Sequence, residues 1–167
     1  MTDSKSNKTS SGNVSIRKMS QASFCLETSV ELPATRSQVF DFFSDAANLE
    51  KITPKFLNFR VLTPLPIEMK SGARIDYKIR LHGIPIRWRT NISAWEPDQR
   101  FVDEQIKGPY RKWHHEHIFE EAGDHTLMKD IVNYRVWLAP LLHPLVVKRD
   151  LLRIFAYRQQ RILELFS

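Results

Sequence analysis

The chain has 167 residues, 42% of them hydrophobic and 26% charged, with a formal net charge of +6 and a single cysteine. That length supports one domain with a substantial core and leaves little room for two. Cys25 alone excludes an internal disulfide and a C-x-x-C pair. No run approaches the roughly 18 apolar residues of a membrane span, and the N-terminal lysines precede no apolar stretch of the kind a secretory signal needs. A cytoplasmic protein is therefore expected. The positive balance is ordinary solvation, and no nucleic-acid partner is expected from it.

Residues 1–20 are mostly Ser, Thr, Lys and Asn. With so few large apolar groups they are expected to form a disordered tail ahead of a domain spanning 22–167. Phe24 to Val30 reads as a first strand, closed by Pro33. Thr35 reads as an N-cap for a short helix carrying Val39, Phe40, Phe42 and Phe43. A second short helix runs from Asp45 to Ile52 and ends at Pro54, and Phe56 to Leu62 is read as another strand.

The alternation then becomes regular. Ala73, Ile75, Tyr77, Ile79 and Leu81 share one face, and after a turn at His82-Gly83 so do Ile86, Trp88, Thr90 and Ile92. Period-two alternation with one polar face marks antiparallel strands wetted on one side. Arg100 to Ile106, Tyr110 to Glu120 and Thr126 to Trp137 give three more, separated by Pro97-Asp98, Gly108-Pro109 and Gly123-Asp124. Leu141 to Phe166 reads as one helix about 39 Å long, with Leu145, Leu152, Phe155, Ala156, Ile162, Leu163 and Phe166 in its apolar stripe. The expected fold is α+β: about seven antiparallel strands curved around a long C-terminal helix, with two short helices after strand one. The gap between sheet and helix is where a ligand would go.

Strand parity assigns the inward side chains. Trp113, His115, His117 and Phe119 share a face, as do Met128, Asp130, Val132, Tyr134 and Val136. For both sets to face inward, Glu121 pairs with Thr126 across a four-residue loop, Ala122 to His125, and His117 stands opposite Asp130. Three roles fit this pair: a satisfied polar contact inside the sheet, a reader of a ligand's polar end, or an acid–base couple. His115 and His117 could chelate, but a third ligand is not evident in the sequence and no metal motif matches, so no metal is expected. Without a Gly-rich phosphate loop or a nucleophile elbow, no cofactor is expected and no catalytic residue is assigned. Cys25 reads as a buried thiol. Tyr77, Trp88, Trp95 and Trp113 read as core or cavity wall. The outward row Arg74, Lys78, Arg80, Arg87 and Arg89 is a solvated face that could meet an anionic membrane surface.

Several stretches carry a family likeness: Val39-Phe40-Asp41-Phe42-Phe43-Ser44-Asp45, Asn48-Leu49-Glu50-Lys51-Ile52-Thr53-Pro54, Gly72-Ala73-Arg74-Ile75-Asp76-Tyr77, Trp113-His114-His115-Glu116-His117-Ile118-Phe119, Asp130-Ile131-Val132-Asn133-Tyr134 and Phe155-Ala156-Tyr157-Arg158. With the order of elements, they make residues 22–166 resemble the START-like (SRPBCC, helix-grip) superfamily, and within it the bacterial branch of cyclase-like ligand-binding domains. The resemblance implies non-covalent binding of a hydrophobic small molecule (a lipid, isoprenoid or polyketide-like compound) by a carrier or sensor. The alternatives are a cyclase or dehydratase and a protein-interaction module with a filled core, since fold is not function. The expected ligand-binding residues are Tyr77, Trp88, Trp113, His115, His117, Asp130, Tyr134 and Phe155.

Overall fold

The computed structural model describes residues 13–167. Its frame is one antiparallel sheet of eight strands: β1 (Asn13–Lys18), β2 (Ser23–Leu32), β3 (Arg60–Val61), β4 (Arg74–Leu81), β5 (Ile84–Glu96), β6 (Arg100–Lys107), β7 (Lys112–Ala122) and β8 (His125–Arg135). Their order across the sheet is β1-β2-β8-β7-β6-β5-β4-β3. Each hairpin from β4 to β8 joins sequence neighbours, and the pairing of β2 with β8 ties the start of the domain to its end. Two register shifts in β5 against β6 add curvature, because an extra residue on one strand increases local twist.

The turns follow from residue type. His82 (φ 49) and Gly83 (φ 83) both occupy the left-handed region, as a two-residue I′ hairpin requires between Leu81 and Ile84. In the connection of β7 and β8 only Gly123 takes a positive φ (70). That hairpin keeps the expected pairing of Glu121 with Thr126 and adds Ala122 with His125. Its connection is therefore two residues rather than four.

Helix α1 (Arg36–Ser44) starts where the sequence places its cap. Gln38 N donates to Thr35 Oγ1 and Thr35 N donates to Gln38 Oε1, a capping box. Asp45 Oδ1 accepts from Ala47 N and opens a 3₁₀ turn over Ala46–Ile52. The strand expected over 56–62 is confined to Arg60–Val61. A 3₁₀ turn follows Pro54 over Lys55–Leu57, and Asn58 at φ 43 turns the chain before it can extend.

Two further expectations are corrected. Of the tail expected over 1–20, residues 13–18 form β1, which pairs with β2 from Asn13↔Ser29 to Lys18↔Phe24; Val14 and Ile16 pack against the core. The rest, 1–12, lies outside the described residues. The C-terminal helix is not uniform either. It comprises α2 (Ala139–Leu142), a π turn (His143–Val147) and α3 (Lys148–Phe166). Pro144 has no N–H to give the preceding turn and its ring crowds the carbonyl four residues back, so the helix widens there. The wider turn shifts the phase of the stripe: Leu145, expected inside, is 63% exposed, while Leu151, Phe155 and Ile162 are buried.

Helix α3 makes its close backbone contacts with β1, β2 and the Ala46–Ile52 turn. It therefore sits over one side of the sheet and leaves the concave face of β4 to β7 only partly covered. The outward row lies on the convex face: Arg74, Lys78, Arg80 and Arg87 are exposed, and Arg89 makes a two-pronged pair with Asp76 at 2.7 and 2.9 Å. Among the described residues no helix is long and apolar enough to cross a membrane.

Candidate functional site

The uncovered part of the concave face bounds a cavity of about 220 Å³. Its walls come from β4 to β7, the two 3₁₀ turns and the first half of α3, and include Ile79, Tyr77, Trp88, Trp113, Leu151 and Phe155. Most of the wall is apolar. The indoles of Trp88 and Trp113 meet edge to face at 5.4 Å, and Tyr77 stacks on Trp88 at 5.8 Å. Tyr77 Oη and Thr90 Oγ1 satisfy each other at 3.0 Å, so this wall presents rings rather than free hydroxyls.

One end of the cavity is polar. His115 and His117 alternate inward along β7 with Asp103 of β6 beside them, because Asp103 pairs with His115 and Phe101 with His117. Asp130 lies across from His117 in β8, the register expected from the sequence. His115 Nε2 donates to Asp130 Oδ1 (2.9 Å), and His117 Nε2 donates to Asp103 Oδ2 (2.9 Å). His115 Nδ1 is 3.4 Å from the same Asp103 oxygen. His117 Nδ1 lies 2.9 Å from Asp130 Oδ1 but off the hydrogen-bond direction, so that contact is electrostatic. Thr28 Oγ1 donates to Asp130 Oδ2 at 3.5 Å.

Arg158 completes the group from α3. Its Nε is 3.8 Å from Asp130 Oδ2, and its guanidinium lies over the Phe43 ring at 5.4 Å. Neither Nε nor Nη2 has a hydrogen-bond partner. It is thus a buried cation held by charge and ring contact rather than by directed bonds.

The charges are mutually arranged. Burial pushes the Asp130 carboxyl up, but the Arg158 charge and the two imidazoles outweigh it and hold the group well below the carboxylate range. Asp103 behaves likewise: burial raises it, while His115, His117 and Arg158 bring it below its ordinary value. The histidines diverge. Burial, then the neighbouring His117, lowers His115 despite its carboxylate partners. For His117 burial also lowers, but Asp103 and Asp130 together overcome it and the ring is raised. Two carboxylates are thus set against a guanidinium and an imidazole whose affinity for a proton they raise.

Of the residues expected to bind ligand, Tyr77, Trp88, Trp113, His115, His117 and Phe155 line the cavity. Asp130 stands behind the imidazoles and touches them rather than the cavity. Tyr134 is turned away to the end of the sheet, where it is hydrogen-bonded to His143 Nε2 (2.9 Å) and Phe24 stacks on both rings. Two residues were not anticipated. Asp103 shares its strand face with Phe101, so the parity used for β7 and β8 points to it. Arg158 lies three residues after Phe155 and four before Ile162, the spacing of one helix face.

Comparison with known proteins fits this geometry. Residues 32–154 match the family described as polyketide cyclase / dehydrase and lipid transport, and the chain belongs to that family and to the START-like, helix-grip superfamily. No curated protein matches it by sequence. Among solved structures it is similar to a protein from Arthrobacter aurescens, with a TM-score of 0.68, 16% identity and coverage of 90% of this chain and 91% of that one. Protein Ms6760 from Mycobacterium smegmatis gives 0.63 at 17% identity over 84% and 89%. The ginseng major latex-like protein 151 from Panax ginseng gives 0.60 at 10% over 87% and 98%. Identities this low speak for the fold alone. Family and fold together point to a domain that binds a hydrophobic ligand.

Proposed function

We propose that this protein binds one small, mostly apolar molecule without covalent chemistry and orients it by an oxygen-bearing end set against His115, His117 and Arg158. The observation that carries the reading is the cavity itself: about 220 Å³, walled by rings and aliphatic side chains, with its charged groups gathered at one end. A filled core, as an interaction module would have, leaves no such space. The volume falls just below the roughly 300–1,000 Å³ of pockets for drug-sized ligands, which favours a compact guest over a long lipid. Family membership supports the same class of ligand.

Calorimetric titration with straight-chain carboxylic acids and alcohols of increasing length tests this. Each methylene entering an apolar cavity contributes about 0.8 kcal/mol, so affinity should rise about fourfold per carbon until the cavity is full and then stop rising. Ile79→Trp, which fills the wall, should abolish the effect. The reading fails if no member of either series gives saturable heat and native mass spectrometry of protein from its own host finds no bound small molecule.

A second reading has one observation in its favour. An imidazole raised by two carboxylates faces the cavity, where it could move a proton at a position next to a carbonyl. Turnover of a polyketide-like substrate that is lost in His117→Gln would favour an enzyme over a carrier.

A further inference from the structure

We propose that Asp103, His115 and His117 form a binding site for a divalent transition-metal ion at the polar end of the cavity. The sequence offers two histidines and no third ligand; the fold supplies the third from β6. One ligating atom from each of the three residues lies within 4.8 Å of the others. The spacing is more telling than the count. Asp103 Oδ2 is 2.9 Å from His117 Nε2 and 3.4 Å from His115 Nδ1. Metal–ligand bonds of about 2.0–2.2 Å place neighbouring donors roughly 2.8–3.6 Å apart, depending on coordination geometry. Both contacts to Asp103 therefore fall in the range that a shared ion would occupy in place of the hydrogen-bond proton.

The outer nitrogens make the case stronger. A ligating histidine nearly always gives its other ring nitrogen to a carboxylate or carbonyl, which fixes the tautomer and aims the lone pair. Here the nitrogens facing away from Asp103, His115 Nε2 and His117 Nδ1, both lie 2.9 Å from one oxygen, Asp130 Oδ1. A single buried carboxylate thus stands behind both imidazoles, hydrogen-bonded to His115 and in electrostatic contact with His117, with its second oxygen near Thr28 and Arg158. Two imidazoles and one carboxylate suit zinc or iron(II) rather than magnesium or calcium. All three donors line the cavity, so the remaining coordination positions open onto it.

That placement fixes the chemistry of what binds next. With the ion present, Asp103 and Asp130 supply two negative charges against the metal's two and Arg158's one. The net positive charge favours an anionic oxygen, a carboxylate or enolate, in the open position. The site goes beyond the carrier reading and does not depend on it, because the ion can be tested with no organic molecule present.

The test uses the full chain stripped with chelator, then titrated with Zn²⁺ by calorimetry and with Co²⁺ by visible absorption. One equivalent is expected, with micromolar or tighter affinity and a rise in melting temperature. Asp103→Asn and His115→Gln should each weaken binding at least tenfold. Asp130→Asn, which leaves all three donors in place, should weaken it about 10- to 100-fold. Arg158→Met should tighten binding, since it removes a like charge beside the ion, whereas a site reading only an anion would lose affinity. Absence of saturable uptake, or unchanged affinity in both Asp103→Asn and His115→Gln, overturns the proposal. If those variants do not fold, X-ray absorption on the zinc-loaded wild type decides: two imidazoles in the coordination shell uphold the site, and fewer than two refute it.

Discussion

Asp130 concentrates the physics of the buried cluster in one side chain. Its carboxylate accepts from His115 and Thr28, balances Arg158 and touches His117, with the side chain 4% exposed. Removing one partner of a buried ionic group leaves the others uncompensated, which commonly costs 3–5 kcal/mol, about half of a typical domain's stability. Asp130→Asn keeps the shape and removes the charge, so a loss on the order of 3 kcal/mol in denaturant unfolding is expected. A loss under about 1 kcal/mol would mean that the cluster rearranges around the amide. The pairing of Asp130 with His117 was readable from strand parity and a short hairpin, because a side chain's face repeats every second residue and a tight turn fixes register. Asp103 was harder to see. Its strand pairs with β5 through two register shifts, and a carboxylate in Val-Asp-Glu-Gln reads locally as a wetted face. Arg158 was missed because a long basic side chain in a helix is taken as solvated, although its spacing from Phe155 and Ile162 places it inside.

At the scale of elements, the break in the C-terminal helix governs a pH response. His143 opens the π turn, is buried, and stacks on Phe24 with ring centroids 3.4 Å apart. Burial, with Lys148 and Lys18 nearby, holds its imidazole below the ordinary value. Below about pH 6.5 the unfolded chain takes up a proton that the folded ring resists, so this contribution is complete above that pH and is lost as pH falls through the window. His143→Gln keeps a partner for Tyr134 but does not titrate. The stability difference between wild type and this variant should therefore shrink from pH 7.5 to pH 5.5; taking the difference removes His115 and His117, whose shifts run in opposite directions. A constant difference would show that the ring titrates as it does in water. Further along, Phe155 is 4% exposed with one edge on the cavity. Phe155→Ala should cost about 3 kcal/mol, the lower part of the range for buried rings, and a value near zero would place the ring outside the packed face. The π turn was not legible because Pro144 can equally begin a helix, kink one or widen it, and the choice rests on how Leu142 and Val147 pack into the core.

Across the whole molecule, β1 changes what the domain needs at its edge. Its six residues pair along β2, and half-buried Val14 and Ile16 lie on the core. Composition concealed this, since a strand that buries only two side chains looks like a polar tail. Removing residues 1–18 should cost on the order of 2 kcal/mol, or about 4–8 °C in melting temperature for a chain this size. It should also expose the backbone of β2 as a free edge, with greater aggregation on heating. Melting and light scattering of the shortened chain against the full one check both; an unchanged melting temperature would show that β1 adds pairing without stability.

The ring lattice of the cavity wall has an optical consequence. Trp88 and Trp113 are buried, perpendicular and 5.4 Å apart, close enough for their excited states to couple, whereas Trp137 is 57% exposed, has the Arg111 guanidinium over its ring at 5.1 Å and lies outside the cavity wall. The protein therefore carries a built-in spectroscopic gauge. A guest that displaces solvent from the Trp88–Trp113 pair should shift their emission to the blue and alter the near-ultraviolet circular dichroism of the coupled rings, while Trp95 and Trp137, which do not line the cavity, should contribute a background that changes less.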